Sequence, residues 1–303
     1  MVLVAGDAHP ELAHNIARLA GLEVVPALVS AFADGETRIR IEADIRDSDV
    51  YVVQPTSAPT SQHLMTLALI AEAARDAGAA RVTAVVPYFG FARQDVRHGA
   101  GEPRSARFAA RILHCAGIAR LVTLDLHSPA LESAFEMPVF HLRAENAMLP
   151  AIRRWGLSRF SIVSPDAGGV KRAQRFAVAL AAPLAVVAKN RPQADVAVML
   201  EVLGDVRGRA CVIVDDMAST GGTIAAASQA LLAAGAAEVH AVFIHAVMAP
   251  GALERICASS VRRILTTDSV PTVRDPRVQV ASVAPLMAQT LATLAAPAPT
   301  KSR

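Results

Sequence analysis

Residues 212–223 read Val-Ile-Val-Asp-Asp-Met-Ala-Ser-Thr-Gly-Gly-Thr, and this stretch decides the fold class. Its three β-branched residues are typical of a buried strand, and an apolar helix is expected to begin near Ile224. Open α/β sheets bind their ligands beyond the carboxyl ends of the strands. The stretch therefore predicts an α/β protein that presents two carboxylates, Asp215 and Asp216, to a ligand crevice.

The loop after the two aspartates has the composition of a phosphate-binding turn. Because Gly221 and Gly222 carry no Cβ, this loop can direct its backbone N–H groups at one anion where the helix starts. The carboxylates suit the hydroxyls of a sugar that carries this phosphate, with a divalent metal nearby. The candidate sugar-phosphate residues are Asp215, Asp216, Ser219, Thr220, Gly221, Gly222 and Thr223. The alternative is an ordinary Asp-rich turn without a ligand, and the lysine of a Walker loop is absent.

Length and composition restrict the class of protein. With 303 residues and 53% hydrophobic content, the chain can fold into two domains. Its net charge of +3 and the lack of a long Lys/Arg run argue against nucleic acid as the main partner. Neither a signal peptide nor a membrane-spanning run is found, so we expect a cytoplasmic protein with no membrane partner. The three cysteines are expected to be reduced core residues.

Short β-branched runs alternate with Ala/Leu-rich amphipathic stretches, which is the pattern of a parallel sheet covered by helices. The predicted strands are 50–54, 82–87, 121–126, 160–164, 184–188, 210–214 and 239–245, and the predicted helices are 61–77, 103–116, 170–181, 224–234 and 283–294. The alternation restarts after a middle section at 139–155. We therefore expect two similar domains, 1–145 and 146–303, each a mainly parallel sheet flanked by helices.

Three further segments place polar groups after predicted strands. Loop 87–95 combines aromatic residues with Arg93, Gln94 and Asp95, a set that can stack on a base and bind phosphates, although charged loop residues are usually only solvated. His127 lies just past another strand, where a structural histidine is the alternative. Asp166 precedes two glycines and a helix, and its alternative is a helix cap.

Two cationic residues follow the predicted strand 184–188. Only three of the 30 basic residues are lysines, and Lys189 is one of them. Lys189 and Arg191 enter a polar segment that could form a mobile lid, where cations would serve phosphoryl or pyrophosphoryl transfer by charge stabilisation. An ordinary basic loop is the alternative. The retention of a compact, flexible point charge in an Arg-rich chain favours the catalytic interpretation.

An early segment interrupts the alternation. Residues 32–36, Phe-Ala-Asp-Gly-Glu, predict a turn that leads into a strand at 37–42 with strict two-residue periodicity. Taken alone, this segment indicates a hairpin with an acidic turn.

Together, these segments resemble the ribose-phosphate pyrophosphokinase family, also called phosphoribosyl-pyrophosphate synthetases, over nearly the whole chain. The family's motifs are matched in order at 32–36, 58–60, 87–95, 125–127, 164–170, 189–192 and 215–217. The resemblance implies two domains of the type I phosphoribosyltransferase fold. It also implies transfer of the β,γ-diphosphoryl group of ATP to the C1 hydroxyl of ribose 5-phosphate, with Mg²⁺ required and AMP released.

The resemblance also implies a role for each motif. The implied ATP-binding residues are Phe32, Asp34, Gly35, Glu36, Arg93, Gln94 and Asp95. Because Phe32, Asp34 and Glu36 would contact the adenine of ATP bound at a neighbouring subunit, self-association into a dimer or hexamer would complete the site. His127 and Asp166 correspond to Mg²⁺-associated positions. Asp215 and Asp216 would contact ribose hydroxyls and metal, residues 219–223 would bind the 5-phosphate, and Lys189 and Arg191 would stabilise the transition state.

One departure and two alternatives accompany this interpretation. Ser219 stands where the family commonly has Asp, so one contact loses a charge but keeps a hydrogen-bonding hydroxyl. A phosphoribosyltransferase would need one such domain and no adenine-binding turn. A non-catalytic, synthetase-like regulatory subunit could lose Lys189, Arg191, His127 or the acidic pair, and all of them are present.

Overall fold

The computed structural model of this protein describes residues 1–97, 99–190, 199–271 and 275–295, with the backbone alone at residues 189, 190 and 199. The chain folds into two compact units, of which unit 1 comprises 1–143 with 283–303 and unit 2 comprises 144–282. Within the described ranges, no helix has the length and apolar character needed to cross a membrane.

Unit 1 is built on a fully parallel sheet. Its elements are β1 (Val2–Ala5), α1 (Pro10–Ala20), β2 (Glu23–Val24), β3 (Ala27–Ala31), β4 (Thr37–Ile41), β5 (Asp49–Val53), α2 (Thr60–Asp76), β6 (Arg81–Val86), α3 (Ser105–Cys115), β7 (Arg120–Leu124), a 3-10 helix (Pro129–Ala134) and β8 (Val139–Leu142). Six strands are ordered β2-β1-β5-β6-β7-β8. Residues 50–53 and 82–86 are buried on both faces of the sheet, which explains their continuous apolar sequence.

A separate two-stranded antiparallel hairpin, β3–β4, carries the acidic turn. Ile39 and Ile41 pack against the core of unit 1, whereas Arg38 and Arg40 are exposed. The predicted two-residue periodicity is confirmed, because alternate side chains of β4 face the core and solvent.

Unit 2 contains a mixed sheet with one antiparallel edge. Its elements are α4 (Glu145–Arg154), β9 (Phe160–Ser164), α5 (Val170–Ala179), β10 (Leu184–Asn190), β11 (Met199–Leu203), β12 (Ala210–Met217), α6 (Gly222–Ala233), β13 (Glu238–His245), α7 (Ala252–Ala258), β14 (Val261–Thr267) and β15 (Val278–Ala281). The order is β11-β10-β9-β12-β13-β14-β15, and only β11 runs antiparallel to its neighbour among these strands. The last helix of the described chain is α8 (Ala284–Ala295).

Each predicted strand and helix has an observed counterpart, and the predicted parallel sheets flanked by helices are confirmed. The middle section, for which the sequence predicts no element, contains β8 and α4. Pro150 lies inside α4 and disfavours a helix locally, yet Met148, Leu149 and Ile152 are buried there. Burial of an apolar helix face therefore outweighs the local signal.

Two expectations differ from the structure. We expected the second domain to run to residue 303, whereas α8 groups with unit 1 because it packs against α1. We also expected three core cysteines. Cys211 is buried and Cys257 is partly buried, but Cys115 is exposed because it ends α3 at the helix surface.

Candidate functional site

The strand order of unit 2 reverses between β9 and β12. The strand that follows β9 along the chain, β10, pairs on one side of it, and β12 pairs on the other side. Open α/β sheets form their ligand crevices at such a reversal, beyond the carboxyl ends of the strands. The loop after β9 contains Asp166, and the acidic pair lies near the end of β12. The structure thus brings these predicted residues to adjacent strand ends.

The acidic pair is nearly buried and shares one cation. The side chains of Asp215 and Asp216 are 14% and 7% exposed. The backbone N–H of Asp216 donates a hydrogen bond of 2.8 Å to Asp215 Oδ1. Nη1 of Arg172, in the first turn of α5, lies 3.7 Å from Asp215 Oδ1 and 3.6 Å from Asp216 Oδ1. Two carboxylates and one guanidinium therefore face each other at the crevice.

This arrangement changes the acidity of Asp215. Burial has the largest effect and raises the pKa of Asp215; the negative charge of Asp216 and a hydrogen bond with it raise this pKa further, while Arg172 opposes the rise. Hydroxyl groups of a ligand that donated hydrogen bonds to these carboxylates would favour the ionised form. The site is therefore suited to a polyhydroxylated ligand.

The loop after β12 is shaped by one glycine. Gly221 has φ +74°, and a Cβ there would lie 2.7 Å from the carbonyl oxygen of Ala252. A Cβ on Gly222 would meet only Thr220 Oγ1, at 3.6 Å. Arg255 of α7 holds the loop by donating a 2.8 Å hydrogen bond to the carbonyl oxygen of Thr220. The predicted need for glycine is confirmed at position 221, where the loop turns into α6.

Ser219, Thr220 and Thr223 also lie where the phosphate loop was predicted. Thr220 and Thr223 are exposed, and Ser219 is partly buried, with its carbonyl oxygen accepting the N–H of Ala249 at 2.9 Å. The start of α6 has no side-chain cap. Backbone N–H groups at an uncapped helix start, together with nearby hydroxyls, are suited to one phosphate.

Asp166 organises the loop after β9. Its Oδ1 accepts the N–H of Gly169 at 2.9 Å, and Ser164 Oγ donates to its carbonyl oxygen at 2.7 Å. A Cβ on Gly169 would lie 3.6 Å from Asp166 Oδ1 and 3.8 Å from Arg172 Nη1. Asp166 thus makes the cap-like contact that was the structural alternative, close to the cation that faces the acidic pair.

The hairpin turn of unit 1 presents an exposed aromatic ring. Phe32 is 50% exposed, and the guanidinium carbon of Arg38 lies 5.6 Å from the centre of its ring. Asp34 Oδ1 accepts the N–H of Glu36 at 3.1 Å, and Gly35 has φ +92°. The turn is hydrogen-bonded within itself and exposes the ring of Phe32, as stacking on a ligand would require.

The loop after β6 places its predicted residues unequally. Arg93 is exposed, Gln94 and Asp95 are partly buried, and Gln94 Oε1 accepts a 2.5 Å hydrogen bond from Ser105 Oγ. We expected aromatic residues of this loop to stack on a base. That expectation is wrong for Tyr88 and Phe89, which are 8% and 2% exposed because they fill the core.

His127 lies three residues after β7 and is exposed. Since β6 and β7 are adjacent parallel strands, His127 and the loop of Arg93 follow strands that end at the same edge of the unit 1 sheet. Between them in sequence, Asp125 is buried with φ +35°, and Arg143 Nη1 lies 3.6 Å from Asp125 Oδ1.

The predicted cationic lid is only partly described. Lys189 was expected to follow a strand, but its backbone continues β10, since Lys189 pairs with Leu200 and Asn190 with Met199 of β11. The antiparallel partner extends the strand beyond its apolar run. Arg191 lies outside the described residues.

The described donor groups suit a hard cation better than a soft one. Across 1–97, 99–190, 199–271 and 275–295, no group of three or more His, Cys, Asp or Glu residues is arranged to hold a metal. Asp215 and Asp216 nevertheless offer two carboxylates near the end of β12, and Asp166 follows the adjacent strand β9. Mg²⁺ prefers oxygen ligands and commonly uses one or two carboxylates with waters and substrate phosphates, so these residues fit it.

Sequence reasoning missed Arg172 and Arg255. Both act across long sequence separations, which residue patterns do not reveal. A signal for Arg172 existed: a cation in the first turn of a helix is electrostatically unfavourable and requires a reason. The acidic pair 43 residues later provides it.

Comparisons with known proteins bear on both units. A model of the N-terminal domain of ribose phosphate pyrophosphokinase matches residues 1–117, and a model of the phosphoribosyl transferase domain matches 146–279. The chain is 39% identical to a ribose-phosphate pyrophosphokinase of Burkholderia pseudomallei, covering 97% of this chain and 94% of the relative. It is 40% identical to the protein of that name from Maricaulis maris, covering 97% of each.

A solved structure is similar over the same length. The chain superposes with a TM-score of 0.91 on the crystal structure of phosphoribosylpyrophosphate synthetase from Mycobacterium smegmatis, at 36% identity, covering 97% of this chain and 98% of that one. The predicted pair of phosphoribosyltransferase-type domains is thereby confirmed.

Proposed function

Because the chain belongs to the ribose-phosphate pyrophosphokinase family, we propose that it transfers the β,γ-diphosphoryl group of ATP to the C1 hydroxyl of ribose 5-phosphate. The products are phosphoribosyl pyrophosphate and AMP. The observation that carries the proposal is the strand reversal at β9 and β12, where two nearly buried carboxylates precede a glycine-shaped loop at a helix start. The acidic pair suits the sugar, and the loop suits its phosphate.

Ribose 5-phosphate would bind with its hydroxyls on Asp215 and Asp216. Their side chains are nearly buried, so a hydrogen bond from the sugar replaces little water and gains strength from the low local dielectric. The 5-phosphate would lie on residues 219–223, where α6 begins without a side-chain cap. Ser219 contributes a hydroxyl and no charge. Compared with the aspartate that the family commonly has there, it lowers the repulsion between the loop and the phosphate.

ATP would use the residues of unit 1. Phe32 is half exposed on a hydrogen-bonded turn, which favours stacking on adenine, and Asp34, Gly35 and Glu36 complete that turn. Arg93 is exposed for contact with phosphates, while Gln94 and Asp95 border it.

We propose that the turn serves ATP bound at a neighbouring subunit, so that a dimer or hexamer completes the site. Phe32→Ala and Lys189→Ala are then expected to be poorly active alone and to regain part of the wild-type turnover when their subunits are mixed. No gain on mixing, with exchange of subunits verified, would contradict a shared site.

Mg²⁺ would be held by Asp166 and the acidic pair of unit 2, and His127 of unit 1 is the other Mg²⁺-associated position that the family resemblance implies. Carboxylate oxygens are ligands that Mg²⁺ prefers. When bound, the ion would neutralise phosphate charge.

The protein's side chains then have two tasks, which are to position the substrates and to stabilise the charge that develops. Positioning and charge stabilisation account for most catalysis of phosphoryl transfer. The acidic pair and the loop would fix the sugar so that its C1 oxygen attacks the β-phosphorus in line as the bond to the α-phosphate breaks. Lys189 and Arg191 would stabilise the negative charge that develops during transfer.

The test is release of AMP from ATP, ribose 5-phosphate and Mg²⁺. The wild-type protein is expected to release AMP, and Lys189→Ala to lose roughly a hundredfold or more in kcat. Lys171→Ala is the matched control: Lys171 is exposed on α5, so its loss should change kcat by less than about twofold. Absence of AMP with every protein would overturn the proposal and favour a regulatory subunit.

A further inference from the structure

Arg172 occupies a position that is costly for a cation. It is the third residue of α5, where the positive end of the helix dipole disfavours a guanidinium. Its side chain is only 11% exposed, so it has also lost most of its hydration. A residue held there at such a cost needs a compensating partner. The two carboxylates of β12 are that partner, at 3.6 and 3.7 Å.

The contact of Arg172 with Asp215 and Asp216 differs in geometry from a structural salt bridge. Distances of 3.6 and 3.7 Å exceed those of hydrogen bonds, so Arg172 attracts both carboxylates without using their lone pairs. Each carboxylate has about four lone-pair positions and can accept further hydrogen bonds beside those made within the protein. When both carboxylates are ionised, the cation thus neutralises half of their charge and leaves them able to accept hydrogen bonds from a ligand.

Arg175, one turn along the same helix, shows the contrast. Its Nε donates at 2.8 Å to Glu145 Oε1, and its Nη2 lies 3.4 Å from Oε2. This is a directed, hydrogen-bonded ion pair that joins α5 to α4. Arg172 lies near the two carboxylates of the acidic pair, whereas Arg175 is hydrogen-bonded to Glu145.

We propose that Arg172 is a positioning residue for ribose 5-phosphate, one that keeps Asp215 and Asp216 side by side so that both accept hydrogen bonds from hydroxyls of the pentose. The inference rests on the proposed function and extends it to a residue that does not react. Without this cation, repulsion between the two carboxylates would turn one of them away from the other, and the sugar would lose a hydrogen-bond acceptor. We expect this loss of hydrogen bonds to include the 2-hydroxyl of the sugar, the group that distinguishes ribose from 2-deoxyribose.

The experiment compares Arg172→Met, Arg172→Lys and Arg175→Met with the wild-type protein. For Arg172→Met, KM for ribose 5-phosphate should rise by about tenfold or more, because hydrogen bonds to charged groups are lost, while KM for ATP stays unchanged. Selectivity for ribose 5-phosphate over 2-deoxyribose 5-phosphate, as the ratio of kcat/KM, should fall. Arg172→Lys should restore most of both quantities, since an ammonium also balances the charge. Arg175→Met should change neither.

The outcomes separate this inference from the proposed function. No AMP from the wild-type protein would overturn both. Turnover by the wild-type protein with unchanged KM and selectivity in Arg172→Met would overturn only the role of Arg172. Equal losses in Arg172→Met and Arg175→Met, accompanied by equal drops in melting temperature, would reduce that role to stability. If Arg172→Met does not fold, Arg172→Gln keeps a polar side chain of similar length, and the same readings apply.

Discussion

The two units have the same strand order, but they differ in the side chains found where that order reverses. Unit 1 has the order β2-β1-β5-β6-β7-β8, and unit 2 has β10-β9-β12-β13-β14-β15 with β11 added at the edge. In unit 1, Gln54 follows β5 and is fully buried. Its Oε1 accepts the N–H of Ala8 at 3.0 Å, and its Nε2 donates to Asp7 Oδ1 at 2.7 Å. One amide thus bridges the two loops at the reversal.

In unit 2, the equivalent strand end carries the acidic pair, whose oxygens face one guanidinium at longer distances. The reversal in unit 1 is filled by a neutral side chain with its hydrogen bonds made within the protein. The reversal in unit 2 instead carries two carboxylates, which we propose accept hydrogen bonds from a ligand. The comparison shows that topology provides the crevice, whereas the residues after the strands decide whether it binds anything.

The largest expected effect comes from replacing one carboxylate oxygen of Asp215, at the strand reversal of unit 2, by an amide nitrogen. Asp215→Asn keeps the shape of the side chain and the acceptor for the N–H of Asp216 but removes the charge. We expect kcat/KM for ribose 5-phosphate to fall by about a hundredfold, from weaker hydrogen bonds to the sugar. Asp7→Asn makes the same change in unit 1, keeps an acceptor for Gln54, and should alter kcat/KM by less than about twofold. Equal losses of kcat/KM in the two variants would show that a charge at the reversal of unit 2 matters no more than one in unit 1.

Glycine gives a second, smaller test. A Cβ on Gly221 would meet the carbonyl oxygen of Ala252 at 2.7 Å, and one on Gly6 would meet Gln54 Oε1 at 2.1 Å. Both Gly→Ala changes should lower the free energy of unfolding by about 1–3 kcal/mol, measured by denaturant unfolding. Only Gly221→Ala should also raise KM for ribose 5-phosphate.

Gly222→Ala is the control for Gly221→Ala. Its Cβ would make only an ordinary contact at 3.6 Å, and φ there is not left-handed, so its free energy of unfolding should not fall. A loss equal to that of Gly221→Ala would show that the backbone conformation is not the cause.

The sequence was informative where function depends on neighbouring residues. The acidic pair, the turn at Gly221 and the carboxylate of Asp166 lie at strand ends, as their apolar runs predict. It was uninformative where partners are distant. The contact of Arg172 with the pair, the bridge made by Gln54 and the extension of β10 by β11 all depend on pairing that no local pattern encodes. Residue roles inferred from the family resemblance remain predictions.

The smallest expected effect concerns stability and its dependence on pH. When both carboxylates are ionised, the pair has two negative charges against one positive charge, and burial raises the pKa of Asp215 above its ordinary value of 3.8. A carboxyl whose folded pKa is raised binds its proton more tightly in the folded state. Ionisation therefore lowers the free energy of unfolding as pH rises from 3.8 toward the raised pKa.

Asp215→Asn should remove this fall in the free energy of unfolding, although it also abolishes most of the activity. Near neutral pH, without ligands, the variant should be more stable than the wild type by about 1 kcal/mol, or roughly 2–4 °C in melting temperature. The difference should shrink toward zero below about pH 4, where the wild-type carboxyl is protonated in both states. Melting curves of the two proteins across this range provide the measurement, with Asp7→Asn as the control from unit 1. A variant less stable than the wild type at neutral pH would mean that the contacts of the ionised Asp215 outweigh its burial and its repulsion by Asp216, and the contrast between the two reversals would then rest on hydrogen bonding alone.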